Sequence, residues 1–243
     1  MTDRTILALT GGDRIPFLQN LVTNDVSGPD PVYAALLTPQ GKFVADFLVV
    51  PEDDRLLIDV AATHAAALAQ RLGLYRLRAD VSIETTDLKV ARGLGAPPDG
   101  AFADPRHPAL GWRRIGDAAD DGGVDWDRVR VNHVIPETGL ELTPETYILE
   151  AGFERLNGVD FRKGCFVGQE IVARMKHKTT LRKGLVRVAI EGAARPGDEI
   201  VSDGRSAGQL HTVSGDAGLA FLRFDRAEGA RTAEAVLSVT PAA

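Results

Sequence analysis

The octapeptide KGCFVGQE, residues 163–170, contains the side chains best suited to chemistry, including Cys165, the single cysteine of the chain. A thiol reacts as its thiolate, and the neighbouring cations Arg162 and Lys163 would stabilise that form. A glycine such as Gly164 lets the backbone approach a ligand closely. We therefore predict a partly accessible thiol and chemical roles for Cys165 and Lys163. The alternative is that Cys165 is a small buried apolar residue.

A single cysteine also limits the sites that this chain can build. It excludes an internal disulfide, and it excludes an all-cysteine zinc or iron–sulfur site made by one copy alone. A cysteine hydrolase needs a histidine base, and none of the five histidines stands in a recognisable local signature. We therefore expect no tightly bound metal, and any cluster at Cys165 would be shared with a second molecule.

Charge is distributed unevenly along the chain. The 28 Lys/Arg and 34 Asp/Glu residues give a net charge of −6, which argues against broad binding to nucleic acid or anionic lipid. Eight of the basic residues nevertheless lie between Arg162 and Arg187, with Glu170 as the only acid among them. Such a run is usually a solvated face, and the alternative is a site for an anion.

Length and composition indicate a globular protein rather than a disordered or membrane-spanning one. The 243 residues are 44% hydrophobic and 26% charged. Apolar runs such as 43–50 are shorter than the roughly 18 residues that a membrane span needs. Residues 1–4 are polar and lead directly into a strand pattern, without the apolar core of a secretory signal. We therefore predict a cytoplasmic protein with no membrane partner.

The elements that position the octapeptide begin with alternating strand and helix patterns. A strand over 5–9 precedes a helix that Asp13 could cap and that carries apolar residues from Ile15 to Val22. Two strands, 32–38 and 43–50, are joined by a Thr-Pro-Gln-Gly turn and form a hairpin.

A further strand over 56–60 precedes a helix that Thr63 could cap and that ends near Gly73, and a strand over 77–83 follows. Strand, helix, hairpin, helix and strand together indicate a split α+β fold.

The rest of the chain changes character twice. Glycine, proline and aspartate cluster over 92–123, which predicts a loop-rich excursion. Helices are predicted over 126–135, 145–156 and 168–176. Short strands separated by turn residues then predict a small antiparallel β-barrel over 185–190, 199–201, 207–213, 219–224 and 235–239. We expect an α+β region over 1–180 and a barrel over 181–243.

The octapeptide, followed by Ile171-Val172-Ala173-Arg174, closely resembles the signature of the YgfZ family of folate-binding proteins. That family supports iron–sulfur cluster assembly and is related to the glycine cleavage T-protein, an aminomethyltransferase. The segment 17–26 is similar to the first helix of the family, 41–46 to its hairpin, and 74–78 to its second helix-to-strand junction. The resemblance implies split α+β folate-binding modules followed by a barrel.

The resemblance also implies cofactor-binding residues. Leu149-Glu150-Ala151-Gly152 matches the T-protein string in which the glutamate holds the pteridine ring, a role that suits a carboxylate. A surface glutamate is the alternative for Glu150. Asp46 matches one member of an aspartate pair that assists one-carbon transfer in those relatives, and Ala45 replaces the other. The remaining predicted contacts of the cofactor are Gly164, Gln169 and Arg174.

Three functions follow as hypotheses. The first is a tetrahydrofolate-binding accessory protein for iron–sulfur cluster assembly or repair, with iron–sulfur proteins or their assembly machinery as partners. The second is a folate-dependent one-carbon transferase, which the missing half of the aspartate pair makes less favourable. The third is an RNA-binding factor in tRNA modification, which the scarcity of aromatics, 6% of the chain, disfavours. We favour a non-catalytic assembly factor and expect the basic run to meet an anion such as the glutamate tail of folate.

Overall fold

The computed structural model describes residues 3–178 and 180–241, so the start of the predicted polar N-terminus, Met1 and Thr2, lies outside the described residues. The chain separates into two compact units. The first unit comprises residues 2–124 and 153–173, and the second comprises residue 1 with 125–152 and 174–243. The predicted limits of the two domains, 1–180 and 181–243, stay a prediction.

A five-stranded antiparallel sheet with two helices forms the centre of the first unit and confirms the predicted order of elements. The sheet has the strand order β2-β3-β4-β1-β5. Its elements are β1 Arg4–Thr10, α1 Arg14–Gln19, β2 Val32–Leu37, β3 Phe43–Pro51, β4 Arg55–Ala61, α2 Ala62–Arg76 and β5 Ser82–Thr85.

Both faces of this sheet are buried, which explains why β3 reads as a nearly continuous apolar run. Residues such as Phe47 and Ile58 pack on one face with Leu18 of α1 and Leu68 of α2. The other face packs with side chains of a second, three-stranded sheet. That sheet has the order β6-β8-β7 and comprises β6 Lys89–Gly93, β7 Phe102–Ala103 and β8 Trp112–Gly116.

The second sheet corrects the prediction of a loop-rich excursion over 92–123. Its strands are only two to five residues long, and β8 contributes the buried Arg113 where a strand pattern would have an apolar residue. Charged residues at buried strand positions hide the alternation on which strand prediction depends. The pattern therefore could not reveal this sheet.

A buried network of charges joins the two sheets of the first unit. The guanidinium of Arg113 donates to Asp59 at 2.6 Å and to Asp104 at 2.7 Å. Arg4 also donates to Asp59 at 2.6 Å, and Arg106 donates to Asp104 at 2.8 Å. Burial would raise the pKa of both carboxyls, but the arginines outweigh it and hold each pKa below its usual range.

Several predicted element ends differ from the structure. The first helix ends at Gln19 instead of continuing through Val22, and Asp13 accepts a hydrogen bond from the amide of Asp80 at 2.9 Å rather than capping that helix. Helix α2 begins at Ala62, before Thr63, and runs beyond Gly73. Asp13 makes a tertiary contact in place of a side-chain cap, and α2 follows β4 without a break, so local capping preference sets neither helix start.

The strand predicted over 77–83 begins only at Ser82. Leu77 has a positive φ of 43° directly after α2, which is incompatible with an extended strand.

The second unit contains a helix and a five-stranded antiparallel sheet of order β10-β11-β12-β9-β13. Its elements are α3 Trp126–His133, the C-terminal part of α4 Gln169–Lys178, β9 Lys183–Gly192, β10 Glu199–Ser202, β11 Arg205–Ser214, β12 Ala217–Arg223 and β13 Ala235–Thr240. Arg231 pairs with Val201 in β10 and with Val236 in β13, so it links the two edge strands and closes the sheet. The predicted barrel strands are confirmed.

The helix predicted over 145–156 is wrong. The chain there forms consecutive turns, such as the one in which the amide of Glu150 donates to the carbonyl of Tyr147 at 3.0 Å. Gly152 and Asn157 have positive φ values of 81° and 54°, which a right-handed helix cannot accommodate. The other two predicted helices are confirmed as α3 and α4.

Within residues 3–178 and 180–241, none of the helices has the length and apolar character needed to cross a membrane.

We predict that Arg113→Met lowers the free energy of unfolding by about 3–5 kcal/mol, because it leaves two buried carboxylates with one arginine fewer. Arg114→Met on the same strand is the matched control, since Arg114 is only partly buried, and it should cost less than about 1 kcal/mol. Denaturant unfolding at pH 7 measures both.

The same pair of variants tests the pH dependence. A carboxyl with a lowered folded-state pKa stabilises the fold above its unfolded pKa of about 3.9, and this stability is lost as pH falls towards the folded value. The difference between the parent chain and Arg113→Met should therefore shrink below about pH 4. A difference that stays constant down to pH 2.5 would contradict this account.

Candidate functional site

Cys165 lies on the surface of the first unit, in the loop that precedes α4. The prediction of an accessible thiol is confirmed, and the alternative of a buried cysteine is excluded. Phe166, the next residue, is 7% exposed, so the chain turns inward directly after the thiol. The loop therefore presents Cys165 at its outer side while it is anchored from within.

Lys163 is the first of these anchors. Its ammonium donates to the backbone carbonyl of Gln19 and, at 2.6 Å, to that of Val22, and it lies 5.5 Å from the ring centroid of Phe166. Both carbonyls lie at or just after the C-terminal end of α1, where helical carbonyls have no partner within the helix. Lys163 thus supplies a charged donor where the backbone needs one.

The charge state of Lys163 depends on this position. Burial lowers the pKa of Lys163 to about 8, although Asp25, Asp160 and Cys165 oppose the shift. Cys165 is among these groups, so the ammonium and the thiol are near enough to interact electrostatically. The predicted chemical role of Lys163 stays a prediction, and its observed contacts are those of a positioning residue.

A close backbone approach is the second anchor. Gly168 has φ +83°, and a Cβ placed on it would lie 2.6 Å from the carbonyl oxygen of Thr38 and 3.0 Å from the Cα of Gly41. Gly41 itself has φ +74°, and a Cβ there would lie 2.9 Å from Ile171 of α4. The hairpin turn between β2 and β3 and the start of α4 can therefore touch only because both positions are glycine.

Thr23 and Asn24 fix the segment that precedes the Cys165 loop. The Thr23 hydroxyl donates to the carbonyl of Gly158 at 2.7 Å and accepts from the amide of Ala35 at 2.9 Å. The Asn24 amide donates to the carbonyl of Asn157 at 2.7 Å. These two side chains attach the segment that leads to Cys165 to β2, and the sequence reasoning missed their role. The available signal is the polar Thr-Asn-Asp run, which the resemblance places in the first helix.

The other residues of the predicted loop site have fewer constraints. Gly164 is exposed with φ +99°, and a Cβ placed on it would meet nothing within 4 Å. Arg162 points into solvent, with a side chain that is 93% exposed, and lies 3.5 Å from Asp160. Gln169 is half-buried at the first position of α4. The structure brings these residues within one loop, and their predicted contacts with a cofactor stay predictions.

Glu150 belongs to the second unit, where its side chain is 11% exposed and its carboxylate lies 3.4 Å from the ammonium of Lys183. It lines a cavity of about 360 Å³. The polar residues around Glu150 in this cavity include Glu141, Thr146, Lys183, Gln209 and His211. A half-enclosed carboxylate beside such a cavity could accept hydrogen bonds from a bound ring.

Asp46 and Arg174 have different surroundings from each other. Asp46 is 4% exposed and accepts a hydrogen bond from the hydroxyl of Tyr33 at 2.9 Å. Burial, together with the Asp46 carboxylate, raises the pKa of Tyr33 well above its usual value, so Tyr33 remains a donor at neutral pH. Arg174 is exposed on α4 and belongs to the second unit. Their predicted roles towards a cofactor stay predictions.

The described residues contain no group of three or more His, Cys, Asp or Glu side chains that could hold a metal ion. The chemistry that the loop offers is therefore that of one exposed thiol on an anchored segment, next to an ammonium group. The structure brings Cys165, Lys163, Gly164 and Gln169 together in the first unit.

Comparison with known proteins connects this arrangement to a family. A family model described as the CAF17 C-terminal beta-barrel domain matches residues 182–243. The human mitochondrial iron–sulfur cluster assembly factor IBA57 is 30% identical, over 93% of this chain and 77% of its own length. The mouse protein of the same name is 29% identical with the same coverage. The Neurospora crassa homolog is 30% identical, and the chain spans 57% of its length.

A solved structure shows the same fold. The glycine cleavage system aminomethyltransferase T from Bartonella henselae superposes with a TM-score of 0.77 and covers 98% of this chain and 83% of its own. Its sequence identity is 14%, so this likeness concerns the fold alone. The predicted aminomethyltransferase-like fold with a C-terminal β-barrel is confirmed.

The comparison with sequence relatives shows that the prediction of a cytoplasmic protein is wrong, because the human, mouse and Neurospora relatives are all named mitochondrial. The prediction depended on the absence of a secretory signal, and that absence does not distinguish the remaining compartments.

We predict that Gly168→Ala destabilises the first unit more than Gly164→Ala does. Both glycines have positive φ, so both variants lose about 1 kcal/mol from backbone strain. Only at position 168 would the new methyl group collide with the hairpin turn, which should add about 1–3 kcal/mol. Denaturant unfolding of the two variants isolates this difference, and equal losses would show that the turn contact contributes nothing.

Proposed function

The chain belongs to the IBA57 family of iron–sulfur cluster assembly factors, and we propose that it is a tetrahydrofolate-binding member of this family in which Cys165 takes part in the assembly step. The exposed thiol on the anchored loop is the observation that carries the role of Cys165. The match of KGCFVGQE to the YgfZ signature supports the same role. By this signature the chain is similar to the YgfZ proteins as well as to its IBA57 relatives.

A single thiol suits the handling of a cluster only if other ligands come from elsewhere. An iron–sulfur cluster needs about four ligands, and this chain has one cysteine. We therefore propose that the cluster is cargo rather than a resident cofactor, and that Cys165 ligates it together with thiols of a partner in the assembly machinery. An exposed position lets a second protein reach the sulfur.

The anchors of the loop support this proposal. The ammonium of Lys163 and the glycine contact at Gly168 fix the backbone on both sides of Cys165. A ligand that is held in place loses less conformational entropy when a cluster binds, so a shared site can form at a lower cost in free energy. The same rigidity would also suit a nucleophile, and the test below distinguishes the two.

Folate binding is supported by the second unit and by the fold. The cavity beside Glu150 has a volume in the range of small-molecule sites, and its carboxylate could accept hydrogen bonds from the amino-pyrimidinone edge of a pterin. The likeness to an aminomethyltransferase gives the same ligand class by analogy only. The basic side chain of Lys183 at this cavity suits the anionic tail of the cofactor.

Aminomethyl transfer and direct RNA binding remain the alternatives. Asp46 is buried beneath Tyr33, and Ala45 stands where the T-protein relatives have a second acid, which disfavours a transfer reaction. The RNA alternative has the exposed basic residues of α4 in its favour. Formation of methylenetetrahydrofolate from an amine donor would establish the former, and a steep dependence of RNA affinity on salt would establish the latter.

We predict that Cys165→Ser abolishes support of cluster-dependent enzymes in cells that lack the parent gene and leaves the melting temperature within about 2 °C of the parent, because the side chain is exposed. Arg162→Lys is the matched control, since it changes another exposed side chain of the same loop, keeps the positive charge beside the thiol and should complement fully. Enzyme activities in the complemented cells and thermal unfolding measure the two effects.

The outcome for a shared ligand differs from that for a nucleophile. A ligand predicts that the purified chain alone stays colourless after incubation with ferric iron, sulfide and a thiol reductant, and that absorbance near the cluster bands appears only with a thiol-bearing partner. A nucleophile predicts that the partner's absorbance is the same with the parent chain and with Cys165→Ser. Full complementation by Cys165→Ser would contradict both roles.

We predict that Glu150→Ala weakens tetrahydrofolate binding by roughly 1–3 kcal/mol, because bound donors lose their acceptor. Glu154→Ala is the control: Glu154 is exposed and is absent from the residues that line the cavity. Titration calorimetry at millimolar ligand measures both variants and the parent chain. An absence of heat with the parent chain would refute folate binding, and an unchanged affinity in Glu150→Ala would remove Glu150 from the site.

A further inference from the structure

The turn that follows α2 holds a leucine in a conformation that glycine prefers. Leu77 has φ 43° and ψ −103°, and the amide of Ala79 donates to the carbonyl of Arg76 at 2.8 Å across the turn. These angles are close to those of the second residue in a type II′ turn, a position that glycine dominates. For a residue with a Cβ atom this conformation is strained.

Burial of the side chain does not compensate for this strain. Leu77 is 90% exposed, and Leu74 in the last turn of α2 is 68% exposed. These are the two most exposed large apolar side chains among the residues that the structure describes. Strained conformations persist where the surroundings impose them and are typical of functional positions. The fold therefore retains a leucine that contributes little to the core and raises the free energy of the turn.

The Lys, Arg, Asp and Glu residues from the start of α2 to the turn at Leu77 are all positive, and the first acid after them, Asp80, accepts a hydrogen bond from the amide of Gly12 at 2.9 Å. Residues 62–79 contain Arg71, Arg76 and Arg78 and no Asp or Glu, in a chain with a net charge of −6. All three arginines are exposed, and Arg76 also donates to the carbonyl of Val81 at 3.3 Å. We call Arg71, Leu74, Arg76, Leu77 and Arg78 the Leu77 patch. It combines two exposed apolar side chains with three positive ones.

We infer that the Leu77 patch is a docking surface for a protein partner that offers an acidic rim and an apolar pocket for Leu77. Charge complementarity selects the acidic rim, and an apolar centre within a polar rim is the usual arrangement of a protein interface. Arginine is also enriched at such centres. This inference goes beyond the proposed function, because it involves neither Cys165 nor the cavity at Glu150.

The composition of the Leu77 patch favours a protein over the other anionic partners. Binding of single-stranded nucleic acid uses exposed aromatic rings for stacking, and Tyr75, the nearest aromatic residue in sequence, is half-buried. Stable attachment to a membrane needs a broad apolar face, and two leucines are too few. A protein pocket can enclose a single leucine completely.

Leu77→Gly tests whether the turn at Leu77 is strained. Glycine relieves the turn, so the melting temperature should rise by about 2–4 °C. Leu94→Gly is the matched control, because Leu94 is 48% exposed and has no positive φ, and its melting temperature should not rise. A lower melting temperature in Leu77→Gly would show that the leucine stabilises the turn, and the inference would fall.

Photocrosslinking in cells tests the partner. Leu74→p-benzoylphenylalanine in the full chain should yield a crosslinked adduct that protease removes and ribonuclease leaves intact, and whose crosslinked peptide is rich in Asp and Glu. The adduct should decrease at least tenfold when Leu77→Gly is added, and likewise with the pair Arg76→Glu and Arg78→Glu. The control pair, Arg195→Glu and Arg205→Glu, changes exposed arginines of the second unit and should leave the yield unchanged.

An adduct that persists in Leu77→Gly, one that ribonuclease removes, a crosslink to lipid, or no adduct would each overturn the inference. Cys165→Ser should leave the adduct yield unchanged. This arm separates a failure of the docking surface from a failure of the proposed cluster chemistry.

Discussion

The position of Cys165 depends on a charged group that has been drawn partly out of water. The ammonium of Lys163 donates to two backbone carbonyls at the end of α1, and burial lowers its pKa to about 8. A fully exposed lysine would lose little free energy if water replaced its hydrogen-bond partners. Here the removal of the ammonium would leave the two carbonyls without this charged donor, so the loop is coupled to the end of the helix. The thiol is exposed, but the residue two positions earlier is not.

The two glycine-containing segments of the sequence form two halves of one contact. Gly41 belongs to the hairpin turn and Gly168 to the turn before α4. A Cβ on Gly168 would collide with the backbone of the hairpin turn, and a Cβ on Gly41 would collide with the side chain of Ile171 in α4. Neither glycine is explained by its own turn alone. The hairpin turn therefore packs against the start of α4 and fixes its position, and Cys165 lies three residues before that contact.

Sequence reasoning recovers the elements that depend on local pattern. The split α+β order of the first unit, the hairpin and the five barrel strands follow from apolar alternation and turn residues, and all are present. The second sheet of the first unit escapes prediction because Arg113, Asp104 and Asp59 satisfy one another across distant strands. A pattern of neighbours in sequence contains no information about such pairs. The pattern also places Leu77 in a strand, because a leucine is not expected at a turn position with positive φ.

The candidate site divides along similar lines. The exposure of Cys165 agrees with its glycine-rich and basic surroundings, whereas the contacts of Lys163 could not be deduced, because the carbonyls that it meets are about 140 residues away along the chain.

The pairing of Arg231 with both Val201 and Val236 also affects how the second-unit sheet meets other chains. It occupies backbone groups at both margins of the second-unit sheet, where an open margin would invite strands of other chains. The second-unit sheet is thereby protected against indiscriminate strand addition and the aggregation that follows from it.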